Sequence, residues 1–100
     1  NPEAVRDYTI ASGVVTVNNR NLRIDTEAAA GADNLDTISG LSTGEHFVVH
    51  QVADGRDITL THAVGNIRTH TGASIVFVNS ASVAFGYYDG TNALIYGSVL

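Results

Sequence analysis

The sequence predicts an all-β fold of short antiparallel strands, arranged as a sandwich, a prism or a β-solenoid-like module. Three observations predict it. The composition leans toward Val, Ile and Thr, which lose rotamer freedom in helices and pack well on pleated surfaces. Asn, Gly, Asp and Ser punctuate the chain at intervals of roughly 8–12 residues, the spacing of all-β sandwiches, barrels and solenoids. Finally, several strand-like segments place sizeable side chains on both faces: Val14 to Val17, Phe47 to Val49, Ile75 to Val78 and Phe85 to Tyr88. A lone two-sheet sandwich buries one face of each sheet and wets the other. In so short a chain the second cover is expected from identical neighbours, so the expected assembly is an intertwined or side-by-side homotrimer. The alternative is a small barrel with a thick core.

The elements follow in order. Residues 1–12 open with Pro2 and polar groups and read as an N-terminal arm or a linker. Residues 13–100 read as a single all-β domain. Val14-Val15-Thr16-Val17 is a strand ended by Asn18-Asn19. Asn21 to Asp25 alternates, with Leu22 and Ile24 on one face and Arg23 on the other. Thr26 to Asn34 is small and polar and reads as a loop. Glu27 to Ala32 has room for one helical turn at most, because Gly31 and the short length oppose more. Asp36-Thr37-Ile38 is a short strand. His46 to Val52 alternates best, with Phe47, Val49 and Gln51 opposite His46, Val48, His50 and Val52. Asp54-Gly55 is a hairpin signal. Asp57 to His62, Ile67 to Thr69 and Ser74 to Val78 are further strands. Ser82 to Tyr88 and Ala93 to Tyr96 flank Asp89-Gly90, a second turn of the same kind.

Composition bounds the function. The chain has 100 residues, five arginines and no lysine against ten acidic groups, and a net charge of −5. That balance opposes a nucleic-acid phosphate backbone as main partner. No apolar run approaches the ~20 residues of a membrane span, and no secretory leader pattern opens the chain. With no Cys, a disulfide scaffold, an Fe–S cluster, a Cys-held zinc and a thiol nucleophile are excluded.

An ordered set of short pieces then stands out. Arg23-Ile24-Asp25-Thr26-Glu27 is followed by Asp33-Asn34-Leu35-Asp36-Thr37-Ile38-Ser39-Gly40, and then by Gly44 with Phe47-Val48-Val49. Asp57-Ile58-Thr59-Leu60-Thr61-His62, Gly65-Asn66-Ile67-Arg68 and Tyr88-Asp89-Gly90-Thr91-Asn92 complete the series. From Arg23 to Tyr96 the chain resembles a module of bacteriophage and prophage tail-fibre, tailspike and head-fibre proteins. Such modules often carry Trp after the Thr-Asn pair, where Ala93 stands here. The resemblance implies a β-rich, homotrimeric virion module that forms shafts, knobs or caps, with other virion proteins as partners. A role in adsorption to a host surface glycan is the alternative it implies.

His46 and His50 share a strand face about 13 Å apart, too far to hold one ion within a chain. His70 between Thr69 and Thr71 is the one axial metal candidate, and no metal or other cofactor is expected. Asp25, Glu27, Asp33 and Asp36 fall in one loop region without the spacing of a calcium loop. Arg23 is expected to pair with Asp25 or Glu27, and Arg56 with Asp54 or Asp57. No Gly-x-Ser-x-Gly elbow or phosphate loop is present, and no glycosidase-type carboxylate pair is signalled, so an enzyme is not expected. Tyr87, Tyr88, Asn92 and Tyr96 are the receptor-binding candidates, because Tyr offers sugars and proteins an apolar ring with a polar tip. The expected function is a structural virion protein of the fibre, spike or capsid-decoration type. It would be made in the host cytoplasm and carried on the particle.

Overall fold

Alternating apolar and polar side chains run through most of the chain, and the computed structural model, which describes residues 4–100, shows what they build. A first coil carries β1 (Arg6–Thr9) and β2 (Val14–Thr16). The second carries β3 (Asn21–Asp25), β4 (Ala32–Leu35) and β5 (Thr37–Ser39). The third carries β6 (His46–Gln51), β7 (Asp57–Leu60) and β8 (Ile67–Thr69). The chain then closes with β9 (Ile75–Val76), β10 (Val83–Tyr88) and β11 (Ala93–Val99). No α-helix occurs among the described residues. A short 3-10 turn spans Glu27–Ala29, with Ala28 and Ala29 in the left-handed region, within the stretch that had room for one helical turn at most.

Successive coils stack in register. Leu22 of β3 pairs with Arg6 of β1 on one side and Val49 of β6 on the other, all parallel. β2 stacks on β5 and β4 on β7, again parallel. The arrangement is all-β and β-solenoid-like. Its strand direction departs from the antiparallel expectation, since five of the eight strand pairs are parallel. A coil that returns to the same side after each circuit runs in the same sense every time, so stacked coils pair parallel. Antiparallel pairs occur where β10 meets β6 and β11, and where β9 meets β7.

One side chain in two points into the lumen between the sheets. Leu22, Ile24, Leu35, Ile38, Val49, Ile58, Leu60 and Ile67 are fully buried there. Both ends are closed. At the first coil, Tyr8 lies in register with the inward Ile24 and packs against the core. Its hydroxyl donates to Asn18 Oδ1 at 2.7 Å and accepts from the Asn18 backbone N–H at 3.2 Å. At the other end, Phe77 and the β10–β11 hairpin complete the core.

The structure revises several local expectations. The stretch expected as an arm pairs with β3 through Arg6–Thr9, and Ile10 is fully buried; its Pro2 start lies outside the described residues. Asp54-Gly55 does turn the chain, with Gly55 at φ +79°. It is nevertheless a corner between two sheets, because β6 pairs with β3 and β10 while β7 pairs with β4 and β9. β4 runs through a segment read as loop. Its only buried side chain is Leu35, so its pairing with β7, rather than its own pattern, makes it a strand. Asp89-Gly90 is a hairpin as expected: Gly90 has φ +100°, and the Asp89 N–H donates to the Asn92 carbonyl at 3.1 Å.

Candidate functional site

The largest sheet runs β1-β3-β6-β10-β11-β8. Its inner face lines the lumen. On β10 the inward residues are small, Ala84 and Gly86, and both are buried. Phe47 of β6 fills the space above Gly86, where an added Cβ would lie 2.1 Å from its ring. The large residues of β10, Val83, Phe85 and Tyr87, consequently face outward and are only half-buried.

The outer face can be read row by row from the register. Asn21, Val48 and Phe85 form one row, and His46, Tyr87, Leu94 and Arg68 another. A third runs Asp7, Arg23, His50, Val83, Val99. The register shifts between Phe85 and Gly86, which pair with Gly97 and Ile95 and leave Tyr96 as an extra residue on β11. Bulges of this kind re-aim side chains. Tyr96 is 57% exposed, and its ring meets His46 edge-on at 6.2 Å, while His46 meets Tyr87 at 5.0 Å. An imidazole therefore stands between two tyrosine rings at one corner of an apolar face.

The structure brings Tyr87 and Tyr96 together through His46. It separates the other two binding candidates from them. Tyr88 packs against the core, and its backbone ties the strand to the preceding loop through Gly44 and Glu45. Asn92 closes the hairpin turn, where its N–H and that of Thr91 donate to the Asp89 carboxylate at 2.7 and 2.8 Å. Those bonds, Asn92's first, hold the Asp89 pKa below the ordinary carboxylate range. Sequence reasoning missed His46 and Leu94 as members of the aromatic corner. The alternation of His46 with Phe47 was the available signal, but only the strand order places His46 beside β10.

The arginine partners differ from those expected. Arg23 bonds Asp7, its register partner on β1, rather than Asp25 or Glu27. Arg56 reaches Asp25 with two bonds of 2.9 Å to its carboxylate oxygens, rather than Asp54 or Asp57. In both cases the stacking of coils provides a closer carboxylate than the local sequence does. His50 sits beside Arg23 on the outer face. Burial first, and Arg23 second, lower its pKa, while Asp7 opposes them.

The acidic loop residues go to separate duties. Asp33 accepts from the Glu27 and Asn34 N–H groups, and Asp36 from the Thr61 hydroxyl. Among the described residues no group of three or more His, Cys, Asp or Glu is placed to hold a metal ion. His70 is exposed just beyond β8. His62 accepts the Thr69 N–H on Nδ1 at 3.0 Å, a structural bond. The arrangement thus offers a surface for contact, with apolar and aromatic side chains on β6, β10 and β11 and charged ones on β1, β3 and β8.

No family model matches the chain, no curated protein matches it, and no solved structure matches it.

Proposed function

We propose that this chain is a structural protein of a bacteriophage particle, a homotrimeric β-module of the fibre, spike or capsid-decoration type. Its work is mechanical, and it presents its loops outward while meeting other virion proteins. The observation that carries the reading is the six-stranded sheet. Its inner face fills the lumen, while its outer face carries Val48, Phe85 and Leu94, each half-buried at the surface. Parallel stacking of coils suits a stiff, load-transmitting part. The ordered resemblance from Arg23 to Tyr96 supplies the virion setting. Immunogold labelling of purified particles tests that setting; label confined to particle-free fractions would sink it. Light scattering on the purified chain tests the assembly, and a monomer of 10.5 kDa ends the trimer reading.

The second reading, a carbohydrate- or receptor-binding module for host adsorption, is favoured by the His46–Tyr87–Tyr96 corner. Flat rings with polar tips stack on sugar rings. Under this reading Tyr96→Ala weakens saturable binding to host cells at least several-fold, and unchanged binding removes Tyr96 from the site.

A further inference from the structure

We infer that the free edge of β9 is a self-docking strand, onto which β9 of a second copy of this chain adds antiparallel about a two-fold axis. The inference goes beyond the virion reading above, and its contact lies away from the six-stranded sheet.

β9 ends the three-stranded sheet β4-β7-β9. The Phe77 N–H donates to the Ile58 carbonyl at 2.9 Å, and the same register sets Val76 opposite Thr59. Backbone groups alternate in direction along an antiparallel strand. Phe77 therefore points its amide at β7, while Val76 points both its N–H and its carbonyl away from the sheet. Among the described residues neither Val76 group has a partner. Two residues on, the Val78 N–H points the same way and is closed by the Ser82 hydroxyl at 3.1 Å.

The other sheet edges are charged or closed. β1 carries Arg6 and Asp7, and β4 carries Asp33. Ala11 exchanges two backbone bonds with Val14 of β2, and the His62 ring takes the Thr69 N–H of β8. The Asn66 side-chain amide covers β5 at Ile38. Charges and covering groups are what keep edge strands from pairing with other chains. At Val76, β9 has neither.

Composition names the occupant. A chain of net charge −5 repels a second copy on most approaches. From Thr69 to Tyr88 the sequence holds no Asp, Glu, Lys or Arg, so two copies meet at β9 with the least repulsion. Asp54 bonds to that stretch only at Ser80, beyond Val78. Val76 and Val78 are 50% and 58% exposed, and their β-branched side chains suit a paired strand.

Symmetry sets the number of copies. Antiparallel pairing centred on Val76 brings the N–H and carbonyl of one copy to the carbonyl and N–H of the other, so the edge is its own complement. The result is one continuous sheet across two copies, held by main-chain bonds as in strand addition generally. Each copy then has its β9 edge occupied, and growth stops at two. So short a strand falls below the ~800 Å² per partner of a stable interface, which makes the association weak and dependent on concentration.

The test is sedimentation of the full chain from about 1 μM to about 1 mM, the range of weak association, with amide exchange read at Val76. Val76→Lys places a charge on the edge. Val64→Lys places the same charge at another exposed valine, in the corner before β8. The expected result is a reversible doubling of mass in the wild type and in Val64→Lys, weakened at least ten-fold in Val76→Lys. The wild-type Val76 amide should exchange at least ten-fold more slowly at the top of the range, which contact through side chains alone does not produce. Circular dichroism reports whether each variant folds, and the wild-type Val76 amide decides the matter if Val76→Lys does not. Doubling is counted from the smallest species, so this inference and the trimer reading fail separately. A monomer that doubles ends the trimer reading alone, and a trimer that never doubles ends this one alone. Doubling that survives Val76→Lys, growth past doubling, or a Val76 amide indifferent to concentration overturns the self-docking strand.

Discussion

The side-chain amide of Asn66 pairs with the backbone of Ile38 in both directions, accepting the Ile38 N–H at 2.9 Å and donating to its carbonyl at 2.7 Å. On its other side β5 pairs with β2. The third coil therefore closes this sheet with a side chain in place of a strand, while β8 leaves to pair with β11. Gly65 permits the approach, since a Cβ there would lie 2.0 Å from Thr37 Oγ1.

Removing that amide strips both backbone groups of Ile38 of their partners. Each unsatisfied buried group costs about 1–3 kcal/mol, so Asn66→Ala is expected to destabilise the fold by roughly 2–4 kcal/mol. Asn66→Asp keeps an acceptor for the N–H and loses the donor, and is expected to fall between. Urea unfolding measures both, and the Ile38 amide should exchange faster in Asn66→Ala. An unchanged midpoint would show that water replaces the amide without cost.

Phe47 packs directly over Gly86 in the core, where an added Cβ would lie 2.1 Å from its ring. Gly86→Ala forces the ring aside and is expected to cost about 1–3 kcal/mol or more through overpacking. At Gly97 a Cβ has its nearest neighbour at 3.9 Å, so Gly97→Ala is the matched control and should shift stability by under about 1 kcal/mol. Equal thermal shifts for the two variants would refute the packing account.

Tyr8 seals the first coil through Asn18. Tyr8→Phe keeps the ring over the core and loses both hydrogen bonds to Asn18, an expected cost of about 1–2 kcal/mol. Amide exchange resolves where the loss falls: Ile10 and Val15 should be deprotected before residues of the β10–β11 hairpin. Uniform deprotection would mean that the end does not open by itself.

Stability should also depend on His50. Its folded pKa lies below the ordinary value of 6.5, held down by burial and then by Arg23, against the opposing pull of Asp7. The neutral form is favoured in the fold, so its contribution is complete above the unfolded pKa and is lost as pH falls from 6.5 toward the folded value. The Arg23 bond lowers the pKa of Asp7 below 3.8, so that pair is lost only at still lower pH. The urea midpoint of the wild type is expected to decline between about pH 7 and 5, and His50→Gln should flatten that decline. A decline of the same size in the variant would assign it elsewhere.

Much of this molecule was legible before folding. The alternation of Phe47, Val49 and Gln51 against His46, Val48 and His50 correctly separated the buried face from the outer one. The same held for Ile58 and Leu60 on β7. Asp89-Gly90 was legible because a tight hairpin is specified by its own residues. Asp54-Gly55 carries the same local signal and serves as a corner, because a turn motif does not encode which strands flank it in space. β1 and β4 escaped notice since a short parallel strand owes its existence to its neighbours. The partners of Arg23 and Arg56 escaped for the same reason, and so did the meeting of Tyr87, Tyr96 and His46.

By itself the sequence determined which segments extend and which of their faces are apolar, because those depend on residue type and a period of two. Only the tertiary structure decided that most strands pair in parallel, and that Tyr88 turns inward while Tyr96 bulges outward. Those outcomes depend on contacts between residues far apart in the chain. Their energies appear only once one coil lies on another.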